Sequence, residues 1–297
     1  MKKRFVSFMN IHTYNPIPSI IIISIIVVLA IIAYFIIGGN SQDQIVDMPL
    51  LTIRDETFRY VSSDRRYKLF IPPGRITGLM VVLHGSGESM NDIISSINLM
   101  NSRIQQFLKQ EQFLVVVPEG KIINTERGWA TESADDANFI NALVESLKTQ
   151  YTDIVPKRSF VFGFSNGGEL ALLLACSSNN FRGVGVVGNY YISGCTSLST
   201  GQPVPGWFGA GIDDEIVPIS SMRSNLGQYL NDLTGCSNPG SLQTVSVPGI
   251  PNGVTCKEHQ NCNKARLCEW QSVGHAVPAG SLSAAWNFLK NANDSLS

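Results

Sequence analysis

Residues 158–176 read Arg158-Ser-Phe-Val-Phe-Gly-Phe-Ser-Asn-Gly-Gly-Glu-Leu-Ala-Leu-Leu-Leu-Ala-Cys176. The opening run, Arg158-Ser-Phe-Val-Phe162, has the length and apolar character of a buried strand, and Gly167–Cys176 reads as a helix. Between them lies Gly163-Phe-Ser165-Asn-Gly167. A Gly-x-Ser-x-Gly between a buried strand and a helix is the context of a nucleophile elbow. The serine must sit on a sharp, strained turn if its hydroxyl is to project above a sheet. The flanking glycines remove side chains that would strike the neighbouring strand and helix. A Gly-rich phosphate loop is the competing reading, but no Lys-Ser/Thr pair follows.

Working outward, Phe58, Tyr60, Tyr67, Leu69 and Ile71 predict two early strands that stop at Pro72-Pro73. Buried strands are expected at Leu79–Leu83 and Phe113–Val117, then at Val184–Val187, Val204–Phe208 and Glu269–Val273. Helical periodicity falls at 92–109, after Asp135-Asp136, at 219–233 and at 281–291. Cys236–Cys268 reads as loop-rich. Continuous apolar strands that alternate with amphipathic helices predict a mostly parallel central sheet with helices on both faces. With an elbow serine, that α/β architecture is the α/β-hydrolase fold.

An elbow serine needs a base, and the base needs an orienting carboxylate. In this fold they follow the serine as Asp/Glu, then His. Two histidines lie downstream, His259 and His275. His275 is favoured because Gly274-His-Ala-Val-Pro278 follows the last predicted strand, where a loop at the sheet's end belongs. The carboxylate falls in Gly211-Ile-Asp-Asp-Glu-Ile-Val-Pro218, where Asp213, Asp214 and Glu215 compete. Oxyanion donors are expected from the backbone amides of Asn166 and of Ser86 in His84-Gly-Ser-Gly87. His84 is read as packing beneath that loop with its ring on backbone groups. Trp129, Trp207 and Trp270 are read as core or, alternatively, as pocket walls.

The N-terminus carries a different signal. From Ile20 to Ile37, 18 residues, only Ser24 is not apolar. Lys2, Lys3 and Arg4 precede the run, and Asp43 and Asp47 follow it. This predicts one transmembrane signal anchor at 20–37, with a cytosolic N-terminus at 1–19 and the remainder outside the cytosol. A cleaved signal peptide, giving a secreted protein, and a buried core helix are the alternatives. A tether at 38–56, a catalytic domain at 57–292 and a tail at 293–297 complete the expected organisation. The chain is 44% hydrophobic and 15% charged with a formal net charge of −1 and no long basic run, which argues against nucleic acid as partner. Cys176, Cys195, Cys236, Cys256, Cys262 and Cys268 form an even set on an exported chain, consistent with three disulfides of unassigned pairing. No Cys-x-x-Cys pair supports a metal site. Asn293-Asp-Ser295 has the glycosylation acceptor pattern.

These motifs resemble the polyhydroxybutyrate depolymerase and feruloyl esterase-like branch of the α/β-hydrolases. The resemblance runs through Leu83-His-Gly-Ser86, Asp135-Asp-Ala-Asn-Phe-Ile-Asn-Ala-Leu143, Phe162–Gly168, Gly211–Pro218 and Gly274–Pro278, and covers about residues 55–292. Family members carry Gly-x-x-Asp-x-x-Val-Pro with a catalytic aspartate, and that position is Asp214. The resemblance implies a secreted serine esterase without cofactor or metal, acting on feruloyl or acetyl esters of polysaccharides or on hydroxyalkanoate polyesters. The chain departs from the family pattern at Ala210 (usually histidine), Ser86 (usually cysteine) and Val277-Pro278-Ala279 (usually Trp-Pro-Gly). A short-chain lipase, a peptidase and a catalytically silent, membrane-anchored binding or adhesion domain are the rival readings.

Overall fold

The computed structural model describes residues 51–189, 201–248 and 250–294. Twelve strands are described: β1 Thr52–Tyr60, β2 Ser63–Ile71, β3 Gly78–Leu83, β4 Phe113–Pro118, β5 Lys121–Ile123, β6 Glu126–Gly128, β7 Ser159–Phe164, β8 Val184–Val187, β9 Gly206–Gly211, β10 Leu242–Val245, β11 Val254–His259 and β12 Cys262–Trp270. The helices are α1 Met90–Ser96, α2 Ser102–Glu111, α3 Asp135–Gln150, α4 Asn166–Ser177, α5 Ile219–Thr234 and α6 Ser281–Asp294. Ten strands make one sheet in the order β1-β2-β4-β3-β7-β8-β9-β12-β11-β10, and β5 and β6 form a separate ribbon. The six central strands are parallel. Antiparallel strands close both edges.

The central strands are buried on both faces because alternate residues serve two cores. Leu79, Val81 and Leu83 pack with α3, α4 and α5 residues such as Phe139, Leu170 and Leu226. Met80 and Val82 pack on the opposite face with Ile93 of α1, Leu108 of α2 and Trp286 of α6. The α/β-hydrolase layering expected from the continuous apolar runs is therefore present.

Several boundaries differ from expectation. Strand β1 begins at Thr52 and pairs residue by residue with β2, so residues 52–56 belong to the sheet and not to a tether. The helix expected at 92–109 is two helices. Asn98 turns the chain at φ +53°, and Asn101 caps α2 by accepting from Arg103 N–H. Cys236–Cys268 is not mainly loop: it supplies β10, β11 and much of β12. The mixed polar sequence of β10 and β11 suits antiparallel strands near the sheet edge, which apolar periodicity does not detect; β12 lies between β11 and β9 and ends at Trp270, so the strand expected at Glu269–Val273 starts and stops earlier. The C-terminal helix continues past residue 292 to Asp294.

Cys256 and Cys268 are cross-strand partners of β11 and β12 and form a disulfide. Cys176 is disulfide-bonded as well. Cys236 and Cys262 are free thiols, so the expectation of three disulfides is corrected at this pair. The two thiols interact with each other, and burial together with that contact pushes Cys236 up to about 11. Cys195, the anchor at 20–37, the N-terminus at 1–19 and the first part of the tether lie outside the described residues. Among the described residues no helix is long and apolar enough to cross a membrane. Asn293 is buried and its amide donates to the carbonyls of Arg182 and Leu289, which makes it a poor glycan acceptor.

Candidate active site

Ser165 lies between β7 and α4 with φ +50° and ψ −119°. A non-glycine residue at positive φ is strained, and the surroundings must hold it there. Ser165 N–H donates to Val187 O at 2.9 Å, and the Asn189 side chain donates to Ser165 O at 2.8 Å. The turn is tight enough that a Cβ at Gly163 would lie 2.1 Å from Gly167 O. A Cβ at Gly167 would lie 2.4 Å from His84 O. Both glycines are therefore required by close backbone approach, the role the sequence assigns to them.

His275 follows β12 and brings its Nε2 to 2.9 Å from Ser165 Oγ. Its Nδ1 lies 2.9 Å from Asp214 Oδ2. The imidazole packs against the Phe164 ring, with centroids 5.0 Å apart. Asp214 follows β9 and is buried, whereas Asp213 and Glu215 are exposed. The other Asp214 oxygen, Oδ1, accepts from Ile216 N–H at 2.9 Å and Val217 N–H at 2.8 Å. Of the three competing carboxylates, then, only Asp214 meets the histidine. His259 sits on β11 with Nδ1 2.8 Å from Gly240 O, away from this constellation.

The two amides expected to serve an oxyanion, Ser86 N–H and Asn166 N–H, donate to no acceptor among the described residues. The two residues approach one another, since a Cβ at Gly128 would meet Asn166 Oδ1 at 3.0 Å and Ser86 Oγ at 3.6 Å. His84 is fully buried beneath the loop. Gly120 N–H donates to His84 Nε2, which places the ring proton on Nδ1, where it donates to Gly85 O at 2.8 Å. Burial pushes the His84 imidazole below its ordinary protonation range.

Three contributors were not visible in the sequence. The Asn166 side chain clamps Trp129, accepting from its N–H at 2.8 Å and donating to its carbonyl at 3.3 Å. Trp129 Nε1 donates in turn to His84 O at 2.9 Å. This indole joins the elbow to the His84 loop. Like Trp207 and Trp270 it is buried, and of the three Trp270 also lines a cleft, with Phe107, Ile250 and Phe288. Asn189 steadies the Ser165 carbonyl, as noted above. The third is Glu88, whose Oε2 accepts from Gly85 N–H at 2.8 Å. Burial pushes its carboxyl up; the Gly85 N–H and the charge of His275 oppose this, while Asp92 adds to it. Only a Glu three residues beyond an His-Gly pair hinted at this last contact.

The BD-FAE family model matches residues 69–210. A probable feruloyl esterase C from Aspergillus terreus is 29% identical over 241 residues, covering 77% of this chain and 84% of its own. Feruloyl esterase C from Emericella nidulans is 27% identical, covering 64% of this chain and 78% of its own. Among solved structures, an acetyl xylan esterase from Aspergillus awamori superposes with a TM-score of 0.62 at 14% identity, covering 80% of this chain and 99% of that one, which shows the shared fold. The family model, the feruloyl esterases and the esterase fold together support an α/β-hydrolase similar to the feruloyl esterases, and a carboxylic ester hydrolase.

Proposed function

We propose that the chain hydrolyses hydroxycinnamoyl (feruloyl-type) esters of polysaccharides through an acyl-enzyme on Ser165. The observation that carries this reading is the continuous path from Ser165 Oγ through His275 to buried Asp214, with both links at 2.9 Å. His275 Nε2 takes the hydroxyl proton as Oγ attacks the ester carbonyl. Asp214 holds the ring proton on Nδ1 and stabilises the imidazolium that forms. The free amides of Ser86 and Asn166 receive the negative charge of the tetrahedral intermediate. The imidazolium protonates the departing alcohol. A water that His275 activates then hydrolyses the acyl-enzyme and regenerates Ser165.

The acyl preference is argued from the feruloyl esterases the chain is similar to. The test is a panel of methyl ferulate, p-nitrophenyl acetate and hydroxybutyrate ester, with wild type and Ser165→Ala. Methyl ferulate should be turned over with the highest kcat/KM, and Ser165→Ala should lose roughly 10⁴–10⁶ of kcat on every ester. Preference for acetyl or hydroxybutyrate would overturn the acyl assignment. Wild-type turnover by Ser165→Ala would overturn the nucleophile. The apolar run at 20–37 supports the further reading that the enzyme is held at a membrane with its catalytic domain outside the cytosol. N-terminal sequencing of the mature protein distinguishes an intact anchor from a cleaved signal.

A further inference from the structure

We infer that Glu88 is a positioning residue for the oxyanion pocket: by holding the Gly85 N–H it fixes the peptide whose next amide, Ser86 N–H, faces the nucleophile. The inference rests on the Ser165–His275–Asp214 reading above. Gly85 is clamped at both of its backbone polar groups. Its carbonyl accepts from His84 Nδ1–H at 2.8 Å and from Glu88 N–H at 3.3 Å. Its amide donates to Glu88 Oε2 at 2.8 Å. The Gly85 carbonyl and the Ser86 amide belong to one planar trans peptide, so they point in opposite directions. Turning the carbonyl inward toward the buried His84 ring therefore turns Ser86 N–H outward.

The carbonyl contact alone leaves the preceding peptide free to rock about a residue without a side chain. The Glu88 carboxylate removes that freedom. Farther along the loop Gly87 N–H donates to Arg127 O at 2.7 Å and Ser86 Oγ donates to Glu126 Oε2 at 3.4 Å, contacts that hold the Ser86–Gly87 segment but not the Gly85 N–H. Nothing else in the proposed mechanism uses a carboxylate here. The charged and titratable groups that act on Glu88 are Asp92 from α1 and His275 from the loop after β12.

The experiment compares Glu88→Ala, Glu88→Gln and Ser165→Ala in the full chain. Turnover is followed with p-nitrophenyl acetate, and phenylboronic acid is the tetrahedral probe. Glu88→Ala should lose at least about tenfold in kcat with KM changed less than about twofold, and its boronate Ki should rise in step, because the lost interaction exists mainly in the transition state. Glu88→Gln retains an acceptor oxygen and should stay within about threefold of wild-type kcat. A role confined to folding would lower the melting temperature of both variants and leave the boronate Ki unmoved. The inference is overturned by wild-type kcat in Glu88→Ala, by a loss expressed wholly in KM, or by a folded Glu88→Gln that loses more than about tenfold in kcat although it keeps an acceptor for Gly85 N–H. This last criterion stands even where Glu88→Ala does not fold. An active Ser165→Ala would remove the triad reading itself, whereas an inactive Ser165→Ala beside wild-type Glu88 variants would remove only this inference.

Discussion

Replacing Asp214 by Asn changes one atom and should nearly silence the enzyme, for a reason that can be followed atom by atom. Asp214 Oδ1 is held by two backbone donors, Ile216 N–H at 2.9 Å and Val217 N–H at 2.8 Å. An asparagine must keep its oxygen on those donors, because turning the amide over would set its NH₂ against two N–H groups in a buried place. The NH₂ then replaces Oδ2, which faces His275 Nδ1 at 2.9 Å. An NH₂ can only donate, so Nδ1 must become the acceptor and the ring proton moves to Nε2. Nε2 then points a proton at Ser165 Oγ instead of accepting one. A wrong-tautomer histidine in a serine triad loses about 10⁴ in kcat, which is about 5.4 kcal/mol of barrier at 1.36 kcal/mol per tenfold. KM should change little, since no substrate contact is removed. The assay is steady-state hydrolysis of p-nitrophenyl acetate, with the melting temperature as a folding control. Asp213→Asn and Glu215→Gln, both at exposed positions, should remain within about twofold of wild type. The reasoning is refuted if Asp214→Asn keeps more than about a tenth of kcat, or if Asp213→Asn loses as much.

Two further outcomes follow from buried charge. Asp136 is fully buried, pairs with Arg65 at 2.8 Å and accepts Ala130 N–H at 2.7 Å, so Asp136→Ala leaves a buried guanidinium without its counter-ion and an amide without its acceptor. The loss should be about 3–5 kcal/mol, roughly 6–20 °C in melting temperature, with most of it recovered in Arg65→Met/Asp136→Leu; a shift under about 2 °C measured by scanning calorimetry would contradict this. His84 is held neutral by burial, so the unfolded chain takes up its proton first. Its contribution to stability is complete above the unfolded value of about 6.5 and is lost as pH falls below it. The urea midpoint should therefore drop between about pH 7 and 5, and His84→Gln should flatten that slope; an equal slope in both proteins would remove His84 as its source.

What was legible in the sequence depended on whether the signal was local. The elbow, the parallel core and His275 each rest on a short run with its own punctuation: an apolar strand, glycines at fixed spacing, a loop that follows a strand. Their physical causes act within a few residues. Asp214 could not be separated from Asp213 and Glu215 by spacing alone, because the difference is which carboxylate the turn buries over Ile216 and Val217 N–H. β10 and β11 read as loop since antiparallel strands near the sheet edge lack a continuous apolar run. Asn166, Trp129 and His84 form a clamp across separations of 37 and 45 residues, which no window on the sequence can register.

The same distinction bears on where the chain departs from its family pattern. Ser86 stands in place of the usual cysteine, yet the group assigned to the oxyanion there is the backbone N–H. That group is aimed by His84 and Glu88 through Gly85, not by its own side chain. Exchange of an exposed side chain at position 86 leaves those clamps untouched, so the departure should be neutral for the chemical step. Ala210 is different in kind. It is a fully buried β9 residue paired with Glu269 of β12, and that glutamate is tied to Arg223 and Lys257. A histidine at 210 would bring a titratable ring into an already paired strand interior, where burial would oppose its charge. Departures that lie in side chains pointing away from the reacting atoms can therefore change stability or substrate fit while the backbone that positions the charge-bearing atoms stays the same.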